Sequence, residues 1–191
     1  MTKIYIEDQT FDRQDFSTVA LEKGEYENCS FTNCNFANAD LSNVIFSECR
    51  FSDCNLSLAQ IKGTAFREVH FRNCKLLGLH FQNCNDFLLA MSFENCILNL
   101  ASFYKLKIKK TRFNNCSLQE TDFSEADLTA SVFDNSDLAK ATFEHTTLDK
   151  ADLRTANNYS IDPELNRLKK ARFSLPGVTG LLHRYDIVID N

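Results

Sequence analysis

Residues 26–56 read YENCSFTNCNFANADLSNVIFSECRFSDCNL. Within this stretch a large apolar side chain returns at every fifth position: Tyr26, Phe31, Phe36, Leu41, Phe46, Phe51 and Leu56. Toward the N-terminus the beat continues through Leu21, Phe16 and Phe11, and toward the C-terminus through Ile61, Phe66, Phe71 and Leu76 to Phe81. It slips by two residues and resumes from Leu88 through Phe93, Leu98, Phe103, Ile108, Phe113, Leu118, Phe123, Leu128, Phe133, Leu138, Phe143 and Leu148 to Leu153. These 29 centres absorb 15 of the 17 phenylalanines. A period of five fits neither the 3.6 of an α-helix nor the 2 of a flat strand. It names a repeat architecture instead.

The residues around each centre explain the period. Two before it stands a small side chain, as at Cys29, Cys34, Ala39, Cys49, Thr64, Ala126, Ser131 and Ala141, while the residue just before and the two after are mostly polar. Two inward and three outward positions per repeat describe a chain that turns a corner every five residues. Four corners close a square coil of about 20 residues, and coils stack at the strand spacing of roughly 4.8 Å. Phe31, Phe51 and Phe71 then lie above one another, as do Phe103, Phe123 and Phe143, in aromatic ladders that bury area and fix register. Both prolines, Pro163 and Pro176, fall after the repeats, as expected where backbone N–H groups pair between coils.

Units such as Ala39-Asp40-Leu41-Ser42-Asn43 and Ala126-Asp127-Leu128-Thr129-Ala130 resemble the A(D/N)LXX motif of the pentapeptide-repeat family, over residues 11–155. The resemblance implies an all-β solenoid, a right-handed quadrilateral β-helix of about seven to eight coils with a short C-terminal helical cap. Three regions are expected: an N-terminal cap over 1–10, repeats over 11–155 with a register slip at 82–87, and a C-terminal cap and dimerisation segment over 156–191.

The eight cysteines raise metal and disulfide chemistry. Cys29, Cys34, Cys49, Cys54, Cys74, Cys96 and Cys116 fall two before a centre, and Cys84 does so if the first register runs on to Asp86. All eight read as compact buried hydrophobes. Stacked pairs such as Cys54 and Cys74 would hold parallel Cβ vectors about 4.8 Å apart, beyond the roughly 3.8 Å of a relaxed disulfide. Zinc needs four converging ligands, which the outward-facing His70 and His80 and the distant His145 and His183 do not supply. No Ser, His and acid set converges, no glycine-rich loop is present among Gly24, Gly63, Gly78, Gly177 and Gly180, and an inward-packed rod offers no deep pocket. A non-enzymatic protein without cofactor or metal is expected. With no apolar run long enough to span a membrane and no signal peptide at Met1-Thr2-Lys3-Ile4-Tyr5-Ile6, the expected compartment is the cytoplasm.

A rod acts through its surface, so charge carries the remaining signal. Residues 1–100 hold 13 acids against 8 bases, residues 101–118 hold a basic collar of Lys105, Lys107, Lys109, Lys110 and Arg112, and residues 119–155 hold nine acids against three bases. A solvated surface accounts for such banding. The sharper reading is an acidic face, at Glu120, Asp122, Asp127, Asp134, Asp137, Glu144, Asp149 and Asp152, that enters a basic DNA-binding groove as a duplex would. Seven coils span about 34 Å, over which DNA carries about 20 phosphates. The imitation is therefore sparse, and charge mainly steers the encounter.

Beyond the repeats, Asp162 and Pro163 are placed to start a short helix. Val178, Leu181, Leu182 and Tyr185 follow the spacing of an amphipathic helix, and Ile187 and Ile189 alternate with Asp186, Val188 and Asp190 in a weak strand pattern. A terminal cap accounts for this segment; a two-fold dimer through Val178, Leu181, Leu182, Tyr185, Ile187 and Ile189 is the functional addition. Leu181-Leu182-His183-Arg184-Tyr185-Asp186-Ile187-Val188-Ile189 resembles the LL-x-R-x-x-I-x-I ending of the quinolone-resistance (Qnr) pentapeptide proteins. Ile161-Asp162-Pro163-Glu164-Leu165-Asn166-Arg167-Leu168 is similar to the I-N-P-E-I-N-R-I of the microcin self-immunity relative. These resemblances imply a homodimer through the C-terminus that binds DNA gyrase or topoisomerase IV, inhibiting it or protecting it from a poison such as a quinolone or a peptide toxin. Acidic segments at 119–155 would then flank the dyad. Qnr proteins carry projecting loops, whereas this chain has only the slip around Asn85, Asp86 and Phe87, read as a bulge between two halves of the helix. The alternative function is a scaffold that binds an unrelated protein, through the basic collar.

Overall fold

The corner in each repeat comes from one residue. Two positions after almost every centre the backbone is left-handed, with φ of 48° at Asn28, 56° at Asn33, 58° at Asn38, 62° at Asn43 and 53° at Asn73. Asparagine enters this region more readily than other side-bearing residues, which is why it recurs there, with Gly63 and Gly78 taking the same place. The corners also carry Glu48, Glu68, Leu58, Leu100 and Lys110 in the same conformation, so the stacked coils impose it on residues that do not prefer it. The computed structural model describes residues 4–185 and 187–189.

Between corners run short parallel strands: β1 (Ile4–Glu7), β2 (Thr10–Asp12), β3 (Gly24–Glu27), β4 (Ser30–Thr32), β5 (Ile45–Ser47), β6 (Arg50–Ser52), β7 (Ala65–Arg67), β8 (Val69–Arg72), β9 (Met91–Glu94), β10 (Arg112–Asn114) and β11 (Val132–Asp134). They form two ladders on adjacent sides of a square coil, one of order β1-β3-β5-β7 and one of order β2-β4-β6-β8-β9-β10-β11. Partners are twenty residues apart, as in Phe31 with Phe51 and Tyr26 with Phe46. The other two sides are held by single bridges such as Asn35 with Asn55 and Ser102 with Asp122.

The centres stack up the middle. In one column the rings of Phe11, Phe31, Phe51, Phe71, Phe93, Phe113 and Phe133 lie nearly parallel, their centroids 4.7 to 5.4 Å apart. Phe81, Phe103, Phe123 and Phe143 form a second column and meet the first edge to face, Phe103 against Phe113 at 5.8 Å. Both geometries are the favoured aromatic ones. The small inward residue does more than fit. Cys49 donates through Sγ to the Tyr26 carbonyl at 3.2 Å, Thr64 through Oγ1 to Leu41 at 2.8 Å, Ser136 through Oγ to Phe113 at 2.9 Å and Asn166 through Nδ2 to Phe143 at 2.8 Å. A buried carbonyl left bare is costly, so this position favours a small side chain with a donor. Cysteine, serine and threonine share it for that reason. Burial pushes the Cys49 and Cys84 thiols up to about 12, so they are inert as nucleophiles near neutrality.

Several expectations change. The rod begins earlier than Phe11, because β1 pairs with β3 and Ile6 packs beneath Tyr26. It ends later than 155: Thr147 bridges Arg167, Asp152 bridges Arg172, and Leu168 and Phe173 pack on the core. Asp162 and Pro163 start a turn closed by the Glu164 N–H on Asp162 Oδ1 at 2.8 Å, and the segment after Pro176 forms 3-10 turns over Pro176–Leu181 and His183–Tyr185. No strand forms at Ile187 to Ile189, and the alternating Asp186 and Asp190 lie outside the described residues. Met1, Thr2 and Lys3, at the start of the expected N-terminal cap, lie outside them as well.

The last change concerns the slip. Leu88 is not the first centre of a new register; it is 64% exposed with φ of 59°. The first register runs on to Asp86, with Asn85 still bridged to Ala65, and the extra residues leave the wall as a loop over 86–90 that rejoins where the Ala90 N–H donates to the Phe66 carbonyl at 3.0 Å. This loop stands where the next strand after β7 would lie, so the four-stranded ladder ends there. The longer ladder passes the slip undisturbed, with β8 paired to β9 and Phe71 opposite Phe93.

Candidate functional site

The eight acidic residues expected to form one face are spread over all four sides. The bridges place Asp122 above Ser102, Asp127 above Lys107, Asp137 above Ser117 and Asp152 above Val132, each on a different wall. Glu144 shares the wall of Asp122, Asp149 that of Asp127 and Asp134 that of Asp152, while Glu120 sits on the corner beyond the wall of Asp137.

Their carboxylates also have structural duties. Asp122, Asp127, Asp137 and Asp152 precede a centre, and each accepts the N–H two residues on: Ser124 at 2.9 Å, Thr129 at 3.1 Å, Ala139 at 3.1 Å and Arg154 at 3.2 Å. Asp15, Asn35, Asp40 and Asn55 close the same turn in the first half. The aspartate or asparagine of the repeat is thus a turn-forming acceptor. Gln119 and Asn158 donate to Asp137 as well, at 2.7 and 2.8 Å, and these bonds hold its carboxyl below the usual value against the opposing effect of burial. Asp134 accepts from Thr155 at 2.6 Å. Glu120 and Glu144 are exposed and make no side-chain hydrogen bond among the described residues.

The basic collar and the acidic band meet in two ion pairs, and bases beyond the collar supply three more. Lys109 meets Asp127 at 3.1 Å and Lys105 meets Glu125 at 3.5 Å, one coil on; further along, Arg167 holds Asp149 at 2.8 Å while Arg154 and Arg172 converge on Asp152 at 2.7 and 3.3 Å. Adjacent bands of opposite charge in the sequence thus compensate each other only in part in the fold.

The tail folds back on the last coil. Arg184 reaches Asp162 at 2.6 Å and Glu164 at 2.9 Å, and the Tyr185 hydroxyl donates to Glu164 at 3.1 Å. A Cβ at Gly180 would come within 2.5 Å of the Tyr159 carbonyl, so only glycine lets this segment lie so close. Leu181 packs on the core and Leu182 is half-buried, whereas Val178, Tyr185, Ile187 and Ile189 are exposed, together with Leu175 and Val188.

The densest acidic surface lies elsewhere, on the wall of the four-stranded ladder. Glu7 and Glu27 are register partners, Glu25 shares β3, and the corner column beside them runs Asp8, Asn28, Glu48 and Glu68. Arg67 is the basic residue among them, 3.7 Å from Glu25, its Nε buried without an acceptor and its guanidinium 6.0 Å from the centre of the Phe87 ring. The Tyr5 hydroxyl donates to Glu27 at 2.7 Å, which, with burial and the neighbouring carboxylates, pushes its pKa up to about 12. Glu25, Glu27, Glu48, Arg67 and Glu68 floor a groove of about 560 Å³ whose far wall is Leu88, Leu89 and Ala90 of the slip loop. Counting in twenties exposes this site in the sequence, since Glu7 and Glu27, and Glu48 and Glu68, are one coil apart.

Comparison with known proteins agrees with this architecture. The full chain superposes on all of QnrB1, a plasmid-mediated fluoroquinolone resistance protein, with a TM-score of 0.58 at 17% identity. HetL, a pentapeptide-repeat protein involved in heterocyst differentiation regulation in the cyanobacterium Nostoc sp. strain PCC 7120, aligns over 90% of this chain and 87% of its own at 14% identity, with a TM-score of 0.47. No curated protein matches the sequence. Across the repeats the sequence fits the pentapeptide repeat region over residues 24–87 and 79–153. With a left-handed corner every fifth residue, a square coil of twenty and this match over most of its length, the chain belongs to the pentapeptide-repeat family.

Proposed function

We propose that this protein is a non-enzymatic DNA mimic that acts in the cytoplasm on a type II topoisomerase, DNA gyrase or topoisomerase IV. It binds there in place of duplex DNA, inhibiting the enzyme or releasing it from a poison such as a quinolone or a peptide toxin. The observation that carries this reading is the end-to-end likeness to QnrB1, in a rod whose surface is net acidic. No helix among the described residues is long and apolar enough to cross a membrane.

Two copies join through the exposed Val178, Tyr185, Ile187 and Ile189, with Leu181 and Leu182 supporting them, to double the length of the rod. Within 119–155, Glu120 and Glu144, exposed and free of side-chain hydrogen bonds among the described residues, make the direct charge contacts. Asp122, Asp127, Asp137, Asp149 and Asp152 contribute field while holding turns and ion pairs.

A gyrase supercoiling assay tests the reading. Micromolar protein should reduce supercoiling or restore it in the presence of a fluoroquinolone, and Glu120→Gln with Glu144→Gln should weaken the effect. A chain that leaves both activities unchanged at that concentration refutes the proposal.

A further inference from the structure

The slip loop places apolar side chains in water at the edge of an acidic groove. Phe87 and Leu88 are each 64% exposed, Leu88 at a left-handed corner like those of Leu58 and Leu100. Other residues anchor the loop: Leu89 packs on the core and the Ala90 N–H closes it on Phe66. Beyond the Arg67 guanidinium over the Phe87 ring, this apolar pair stands in water, and such a projection at the edge of a groove is where an external role is expected.

The groove beside it says what would lie there. Its floor holds Glu25, Glu27, Glu48 and Glu68 against Arg67, with Glu7 and Asp8 continuing the same wall, six carboxylates to one guanidinium. Arg67 bridges the two parts, loosely paired with Glu25 on one side and facing the Phe87 ring on the other, with a buried Nε donor unused. A nucleic acid or an anionic membrane is repelled by such a surface.

We infer that this groove docks an extended basic segment of a partner protein, its arginines or lysines over Glu48, Glu68 and Glu25 and an apolar side chain between Phe87 and Leu88. Charge on the floor sets the partner's sign, and the loop supplies the desolvated contact that area alone does not. The inference stands whether or not that partner is a topoisomerase.

The test uses the full chain and a fluorescein-labelled octapeptide in which arginine and leucine alternate, with a glutamate and leucine octapeptide as control, read by anisotropy. The basic peptide should bind saturably, and the acidic one should not. Phe87→Ser with Leu88→Ser, and separately Glu48→Gln with Glu68→Gln, should each weaken binding about tenfold, as loss of central contacts does, while Glu120→Gln with Glu144→Gln leaves it unchanged. All replaced side chains are exposed, so unchanged thermal unfolding of each variant confirms an intact rod. Equal binding by all variants, or no saturable binding up to about 1 mM, a free energy of only about 4 kcal/mol, overturns the inference. So does a monomer–dimer equilibrium in sedimentation that the loop variants abolish, which assigns the surface to a second copy of the chain.

Discussion

Replacing Asp137 separates the two roles its carboxylate was given. Asp137→Ala removes the acceptor for the Ala139 N–H at 3.1 Å, for Gln119 at 2.7 Å and for Asn158 at 2.8 Å. The turn N–H is the expensive loss, about 1 kcal/mol when a half-buried donor is left without a partner, and the two surface amides recover most of their bonding from water, adding about 0.5 kcal/mol together. Asp137→Asn keeps an oxygen for Ala139, and rotation of the Gln119 amide lets it accept from the new NH₂ group, so the change stays within about 0.5 kcal/mol. For a chain of 191 residues, a loss of about 1.5 kcal/mol lowers Tm by about 3 to 6 °C. Thermal melts followed by circular dichroism read this directly. The carboxyl is held below its usual value in the fold. Its charge-dependent stabilisation is therefore complete above the unfolded value of about 3.9 and is lost as pH falls toward the lower folded value. The small advantage of the parent over the asparagine variant should accordingly shrink between about pH 5 and pH 3. Equal Tm losses for Ala and Asn at neutral pH would show that the side chain acts by charge alone, and the turn argument would fail.

Phe113→Ala removes a ring stacked at 5.2 Å on Phe93 and 5.1 Å on Phe133 and should cost about 3 to 5 kcal/mol. Because coils contact only their neighbours, hydrogen exchange should show protection lost first in β9, β10 and β11. Leu100→Asn relieves a leucine at φ of 60° that is 53% exposed, and should raise stability by up to about 1 kcal/mol in urea unfolding; a lower midpoint would mean that Leu100 has packing partners. Mass-resolved alkylation of the native chain should be slow at all eight cysteines and should reach the half-buried Cys84 before the buried seven; early labelling of Cys54 or Cys74 would contradict the packed column.

The repeat was legible because burial recurs at fixed intervals: of the 29 centres only Leu88 points outward, and all eight cysteines occupy the inward position. The ends are less legible for a simple reason. Ile6, Leu168 and Phe173 lie twenty residues from Tyr26, Leu148 and Leu153, so the twenty-residue period finds them where the five-residue motif has decayed. Position Tyr159 to Glu164 breaks the motif within the last coil, and a reading by fives stops there. The helix expected after Pro176 follows correct spacing, but Gly177 and Gly180 and close packing on Tyr159 leave room for 3-10 turns only. The surface was least legible, since a run of acids in sequence is distributed over four walls, one wall every five residues. Charges that share a wall recur about twenty residues apart, so a count by segment does not show the acidic groove of Glu7, Glu27, Glu48 and Glu68.

That distribution bears on how a rod of this kind can imitate DNA. Of the nine acids between 119 and 155, Glu125, Asp127, Asp149 and Asp152 are ion-paired, which leaves Glu120, Asp122, Asp134, Asp137 and Glu144 without an ion pair among the described residues. A partner approaching one side of the rod meets the Asp122 and Glu144 wall, or the Asp137 wall with its Glu120 corner, and at most about three carboxylates at once. Duplex DNA offers 6 to 10 phosphates to such a partner and gives a slope of about −5 to −9 in log affinity against log salt. Three contacts give about −3 at most by the same rule. Binding measured from about 50 to 200 mM salt should therefore weaken by less than a factor of about 100. A slope as steep as that of DNA would require carboxylates beyond this segment, and the acidic wall beside the slip loop is the surface that could supply them.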